Sequence, residues 1–466
     1  MSTPDKLKEA CGVFGIYAPG EDVARITYFG IYSLQHRGQE SAGIAAADGR
    51  RIHLFARMGL VAQVFSEPDL AALRGHIAIG HVRYSTTGSS RIANAQPFVI
   101  EGPRGSLAIA HNGNLVNAPY LREQLEGDGE RFTSSSDTEV IGRLFALAPG
   151  ADWVDAIRSS MSRLIGAYSL VMATPDKLIA VRDPLGVRPL CIGRRNGWWV
   201  VASESCSLAT VGADFLREID PGEIVVVDRD GVHSVVGQQP VRRATCIFEY
   251  IYFARPDSLI NGRLLYLARQ EMGRELAREH PVPADLVIAV PDSATPAGIG
   301  YAQEAGLPFS EGLIKSRYIG RTFIQPDQRI RDVGINLKFN PLPEVLLGKR
   351  VVVVDDSIVR GTTTRPIVRL LRQAGAREVH VRIHAPPMRH PCYLGLDTAR
   401  RAELIAARMT VPQIERYIEA DSLGYLSLPR LVKATGLPSE WFCQACFTGD
   451  YPVSVQLELD KLALER

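Results

Sequence analysis

Near residue 240 the rhythm of apolar residues changes, and that change restricts the fold more than any single motif. From about Cys11 to about Val235, short apolar runs such as HIAIGHVRYST, SLAIAHNGNL, AYSLVMAT, KLIAVRDPLG and GWWVVASES alternate with Gly, Asn, Asp and Pro turns, which predicts antiparallel sheet. Helical spacing at Asp22 to Leu34, in TEVIGRLFALA and in WVDAIRSSMSRL places helices over those sheets, an α+β layer sandwich. From about Glu249 a different order begins: helix LARQEMGRELAREH, strand DLVIAVPDS, helix ATPAGIGYAQEAG, strand RVVVVDDS, helix TTRPIVRLLRQAG, strand REVHVRIHAPP. That alternation is the βαβ pattern of an α/β domain with a parallel sheet. The polar stretch GQQPVRR at residues 237 to 243 marks the boundary, and 466 residues suit two units at roughly 100 to 200 residues each. The expected units are residues 11–240 and 245–466.

Charge narrows the partners. The 53 basic and 51 acidic side chains nearly cancel to +2, and no block of like charges suits a polyanion or a membrane surface. No apolar run approaches the roughly 18 residues of a membrane span, and the opening MSTPDKLKEA is charged rather than apolar, so a cytoplasmic enzyme is expected. Seven cysteines, an odd number, read as thiols for packing, metal or catalysis rather than as a disulfide framework.

Cys11 opens the run CGVFGIY, and alone it would be an ordinary half-buried thiol. It is followed in order by LQHRGQESAGI, GHVRYSTTG, NAQPF, HNGNL and SSSDTE. Together these resemble the glutaminase domain of the amino-terminal-nucleophile amidotransferases. Amide hydrolysis needs a thiolate, a base, donors for the oxyanion and a grip on one amino acid. A chain-terminal cysteine supplies two of these, because an α-amine titrates at about 7.7–8.0 and can serve as base near neutral pH. The resemblance implies that residues 1–10 are a propeptide whose removal frees Cys11. It also implies that Asn112 and the backbone of Gly113 form the oxyanion hole. Arg83 would hold the glutamine carboxylate, Asp137 its ammonium, and Arg37 would help close the loop over the substrate.

In the second half, VVVVDDSIVRGTTT joins a buried strand, two adjacent carboxylates and a small-residue turn opening a helix. Helix-start amides bind phosphate and carboxylates hold ribose hydroxyls or magnesium, while the absence of a Walker pattern disfavours an ordinary ATPase. The segment resembles the phosphoribosyl diphosphate motif of the phosphoribosyltransferases. That likeness implies Asp355 and Asp356 at the ribose and one magnesium ion, with Ser357, Arg360, Gly361, Thr362 and Thr363 around the 5-phosphate. AVPDSATPAGIG resembles the family's diphosphate loop and brings Ser293 to the magnesium; YFARPD at residues 252 to 257 also matches. The stretch GLIKSRYIGRTFIQPDQRIRDVGINLKFNP is too long for a simple connection and suits a lid, with Lys315, Arg317, Arg321 and Lys338 reaching phosphates. Ser316 stands where related lids often carry Asn.

Cys246, Cys392, Cys443 and Cys446 remain, and spacing alone leaves zinc, an iron-sulfur centre and four buried thiols open. Both halves in this order resemble the glutamine phosphoribosyl-diphosphate amidotransferase family, which makes phosphoribosylamine in the first committed step of purine synthesis. The four positions match its cluster-bearing branch, implying one 4Fe-4S centre per subunit, with Cys191 and Cys206 as core thiols. The resemblance further implies a homotetramer with purine nucleotides as feedback inhibitors. Glucosamine-phosphate synthase shares the first half, but VVVVDDSIVRGTTT argues against its sugar-isomerase half.

Overall fold

Small and apolar side chains of both parities along the first strands explain their position, because both faces of those strands are buried. A computed structural model of the protein describes residues 11–84, 89–316, 339–396, 401–455 and 464. Among the described residues thirteen strands build the first half: β1 Gly12–Tyr17, β2 Ser41–Ala47, β3 Ile52–Met58, β4 Ile77–Arg83, β5 Phe98–Gly102, β6 Gly105–Leu115, β7 Gly166–Ala173, β8 Leu178–Arg182, β9 Cys191–Arg195, β10 Trp198–Ala202, β11 Asp214–Glu218, β12 Glu223–Asp228 and β13 Gly231–Val236. They form two antiparallel sheets, in the orders β11-β9-β10-β1-β4-β2-β3 and β13-β12-β8-β7-β6-β5. Val13, Ile79, Ala108 and Val171 fill the layer between the sheets. Phe14 and Ile16, of the opposite parity on β1, pack instead with Val23 and Ile31 of helix α1 (Val23–Ser33). Helices α2 (Ala118–Gly127), α3 (Asp137–Leu147) and α4 (Trp153–Ser160) cover the outer face of the second sheet. The result is the α+β sandwich that the periodicities predict.

In the second half β14 (Thr245–Cys246) precedes helix α5 (Leu265–Glu279), β15 (Leu286–Ala289), helix α6 (Thr295–Ala305), β16 (Arg350–Asp355), helix α7 (Thr364–Gln373), β17 (Glu378–Ile383), β18 (Ser422–Tyr425) and β19 (Phe442–Cys443). Strands β15-β16-β17-β18 form one sheet, parallel throughout. The valines of β16 are buried on both faces, as a central parallel strand requires. β18 lies beyond the expected elements, since SLGY is too short for a periodic signal. The pairing of β14 with β19 sets Cys246 opposite Cys443. The ends of the expected lid, Leu313–Lys315 and Phe339–Pro341, pair antiparallel. Arg317, Arg321 and Lys338 lie outside the described residues, as do residues 1–10.

Candidate active sites

Cys11 stands directly before β1, and because Gly12 pairs with Val82, the register brings it beside the end of β4. Its Sγ donates to the Tyr84 carbonyl at 3.3 Å. Burial pushes the thiol up to about 11, against the Tyr84 bond and the nearby Arg83 charge. At neutral pH such a thiol keeps its proton, so attack requires a base. Ser203 joins the strands around it: its Oγ accepts from Val13 N at 2.9 Å and from Asn112 Nδ2 at 3.5 Å. Asn112 is fully buried, and among the described residues its Oδ1 has no hydrogen-bond partner. Gly113 has φ +155°, and a Cβ there would strike the Ala167 carbonyl on β7, so only glycine fits.

Asp137 begins α3, where the helix dipole favours an anion. Its Oδ2 accepts from Leu115 N at 3.0 Å and its Oδ1 lies 3.6 Å from His111 Nδ1. Burial would raise this carboxyl, but His111, Leu115 N–H and Arg83 hold it below the usual carboxylate range. His81 Nε2 donates to the His111 carbonyl at 3.1 Å, and burial drives its pKa down to about 3, so the ring is neutral. Arg83 Nη1 lies 3.5 Å from Glu40 and donates to the Ser89 carbonyl at 3.3 Å. Cys11, Arg83, Asn112, Gly113 and Asp137 therefore share one end of the sandwich.

Arg37 sits beneath this group, 1 % exposed. Its Nε donates to the Cys11 carbonyl at 3.2 Å, Nη1 to Glu204, and Nη2 to Glu249 at 2.7 Å. Burial lowers its pKa, but Glu249 and Glu204 outweigh that and raise it. Arg188 adds a bond to Glu249 at 3.2 Å, while Glu204 accepts from Ser258 at 2.7 Å and from Arg255 N at 2.8 Å. The two halves thus meet through a buried, charge-balanced set. Sequence reasoning overlooked Glu40, Glu204, Glu249, Arg188 and Arg269; lone acids in runs such as GWWVVASES and CIFEYIYF were the available signal, since a buried acid needs a partner.

Asp355 ends β16, and both Asp355 and Asp356 are buried. Val290 N donates to the Val354 carbonyl at 2.9 Å, bringing the loop before α6 alongside. Ser293 Oγ then donates to Asp356 at 2.6 Å, and Ser357 Oγ does so at 2.8 Å. The Pro291–Asp292 peptide bond is cis, and Lys315 Nζ pairs with Asp292 at 2.5 Å. Buried Arg269 grips the carbonyls of Tyr250 and Ala254 at 2.8 and 2.7 Å; burial lowers its pKa to about 10 against the opposing charge of Asp356. Gly361 has φ +79°, Thr363 stands at the N-cap position of α7, and Thr362 lies in the turn between them. Arg360 pairs with Glu403 at 2.9 Å.

Cys246, Cys392, Cys443 and Cys446 converge from three segments. Burial pushes Cys246 up to about 11 and Cys443 up to about 12, with neighbouring cysteines adding to both. Cys446 rises well above the ordinary thiol value through burial and the other three sulfurs. Among the described residues no three His, Cys, Asp or Glu are gathered as for a single metal ion. Cys191 and Cys206 are buried in the first half, away from this group.

Comparison with known proteins gives two domain families: a glutamine amidotransferase domain over residues 81–210 and a phosphoribosyl transferase domain over residues 268–393. The amidophosphoribosyltransferase of Synechocystis sp. is 52 % identical, covering 99 % of this chain and 95 % of its own length. That of Archaeoglobus fulgidus is 52 % identical, covering 96 % of this chain and 98 % of its own. Among solved structures, an allosteric regulatory enzyme of purine biosynthesis superposes with TM-score 0.93 at 47 % identity, covering 97 % of this chain and 99 % of its own. The glutamine phosphoribosylpyrophosphate amidotransferase of B. subtilis, complexed with ADP and GMP, superposes with TM-score 0.92 at 47 % identity, covering 97 % of this chain and all of its own. Identity of this degree along the whole chain, with both halves in the same order, means that the protein belongs to the amidophosphoribosyltransferase family.

Proposed function

We propose that this chain makes 5-phosphoribosylamine, glutamate and diphosphate from phosphoribosyl diphosphate, glutamine and water, the first committed step of purine synthesis. Its full-length likeness to amidophosphoribosyltransferases carries the reading. Cys11 attacks the glutamine amide once its own amine is free to take the thiol proton, and residues 1–10 are the propeptide that must leave. Asn112 and Gly113 stabilise the oxyanion, each donor contributing about 100- to 1000-fold. Arg83 and Asp137 hold the carboxylate and ammonium of glutamine. Arg37 fixes the Cys11 carbonyl, which supports a role in setting the loop around the substrate.

In the second half Asp355 and Asp356 hold the ribose, and Ser357, Arg360, Gly361, Thr362 and Thr363 surround the 5-phosphate. Ser293, Asp355 and Asp356 are oxygen donors suited to magnesium, and Ser293 already meets Asp356. Magnesium held by these residues would supply charge neutralisation for the departing diphosphate. The register that sets Cys246 opposite Cys443, and the charge effect of the other three cysteines on Cys446, support reading the four thiols as the ligands that would hold a 4Fe-4S centre. The chain acts as a homotetramer, and purine nucleotides regulate it; the B. subtilis structure holds ADP and GMP. No helix among the described residues is long and apolar enough to cross a membrane, consistent with a cytoplasmic enzyme.

The test separates the two sites. Cys11→Ala abolishes glutamine-dependent synthesis and leaves synthesis from ammonium salts, whereas Asp356→Asn lowers both. If folded Cys11→Ala loses both activities equally, transfer of ammonia between two sites is wrong. Amino-terminal sequencing of active protein checks the propeptide: Cys11 is expected first, and Met1 or Ser2 would refute the cleavage. Anaerobically purified protein is expected to hold about four irons with broad visible absorption, and equimolar zinc without iron would refute the cluster. Cys443→Ser should reduce soluble yield.

A further inference from the structure

The segment Cys392–Leu396 runs from one of the four clustered cysteines directly onto the strand that carries Asn112 and Gly113. The Tyr393 carbonyl accepts from Asn114 Nδ2 at 3.0 Å. The Leu394 carbonyl accepts from Arg188 Nη2 at 3.0 Å, and Leu394 N–H donates back to Cys392 Sγ at 3.3 Å. Gly395 has φ +101°, and a Cβ built there would lie 3.0 Å from the Gly113 carbonyl carbon and 3.1 Å from its oxygen. The strap's backbone therefore lies against the Gly113 carbonyl, in the peptide that links Gly113 to Asn114. Arg188 completes the wall. Its carbonyl is held by Ser169 at 3.1 Å and Arg182 at 3.0 Å, its neighbour Val187 accepts from Cys246 N at 3.0 Å, and its guanidinium also reaches Glu249.

We propose that this strap is a positioning element for amide hydrolysis: Tyr393 and Gly395 set the Asn112–Gly113 segment from behind, and Arg188 sets the strap. The inference rests on the assignment of Asn112 and Gly113 as the oxyanion site. Physically, oxyanion stabilisation depends on donors already aimed at the developing charge, and a displacement of about 1 Å can cost about 100-fold. A strap from the second half that touches the Gly113 peptide can impose such a displacement while leaving glutamine's carboxylate and ammonium contacts alone.

The experiment uses the full-length protein and compares Gly395→Ala and Asn114→Ala with wild type. In Gly395→Ala the methyl group pushes against Gly113 and the Arg188 guanidinium in a backbone conformation that favours glycine, whereas Asn114→Ala removes the side-chain tie to the Tyr393 carbonyl. For glutamine hydrolysis both are expected to lower kcat, Gly395→Ala by about 10- to 100-fold, with KM for glutamine nearly unchanged. Ammonia-dependent synthesis and metal content should match wild type. Wild-type glutamine hydrolysis in both variants overturns the strap proposal, as does a parallel loss of glutamine- and ammonia-dependent rates in folded Asn114→Ala. Failure of the underlying assignment reads differently: Asn112→Ala would then hydrolyse glutamine with an unchanged kcat.

Discussion

At the residue scale the buried charges dominate. Arg37, Glu204 and Glu249 have almost no exposed surface, so each depends on the others for the hydration it has lost. Arg37→Met leaves two buried carboxylates short of a partner and should cost about 3–5 kcal/mol in denaturant unfolding. A cost below about 1 kcal/mol would mean that the network is dispensable. His81 gives a pH-dependent counterpart. Burial drives its folded pKa to about 3, against about 6.5 when unfolded, so the unfolded chain takes up a proton that the folded chain refuses. Its contribution is fully present above about pH 6.5 and is lost progressively as pH falls toward 3. His81→Gln keeps a donor facing the His111 carbonyl and removes the titration. The fall in urea midpoint between about pH 6.5 and 5 should be shallower in the variant than in wild type.

At the element scale the crossing of α5 and α6 depends on two glycines. A Cβ at Gly273 would overlap the Ala297 carbonyl, and one at Gly300 the Gln270 carbonyl, so the helices touch backbone to backbone. Gly273→Ala should cost about 1–3 kcal/mol by overpacking. Because α6 begins just after Ser293, the same displacement should raise KM for phosphoribosyl diphosphate several-fold while leaving glutamine hydrolysis intact; steady-state kinetics of both reactions check it. The helices themselves were legible as periodic apolar patterns, α1 down to its Asp22 cap, whose side chain accepts from Arg25 N at 3.0 Å. Their crossing was not, since a glycine in a helical pattern does not announce which backbone will approach it. Strand β18 escaped for a related reason: four residues carry too little alternation to stand out.

At the scale of the whole molecule the two halves share a core. One apolar core includes Val116, Ala167, Leu185 and Val187 of the first half with Ile247, Phe248 and Leu394 of the second. The Arg37–Glu249 pair adds a link between residues 212 apart in sequence. Unfolding should therefore be one coincident transition whether followed in the native protein or in Trp441→Phe, which leaves Trp153, Trp198 and Trp199 of the first half as reporters. Glu249→Ala should separate the transitions, and separate transitions already present in wild type would disprove the coupling. By itself the sequence determined the two sheet classes, their order, the motif around Cys11 and the acidic pair at the end of β16. Those are local matters of period and adjacent chemistry, readable within a few turns of chain. Only the tertiary structure decided that Glu204 and Glu249 neutralise Arg37 and Arg188 and that Gly395 lies against Gly113. The partner of a buried charge or the neighbour of a glycine is fixed by surfaces brought together from distant segments, and no pattern along a single segment encodes it.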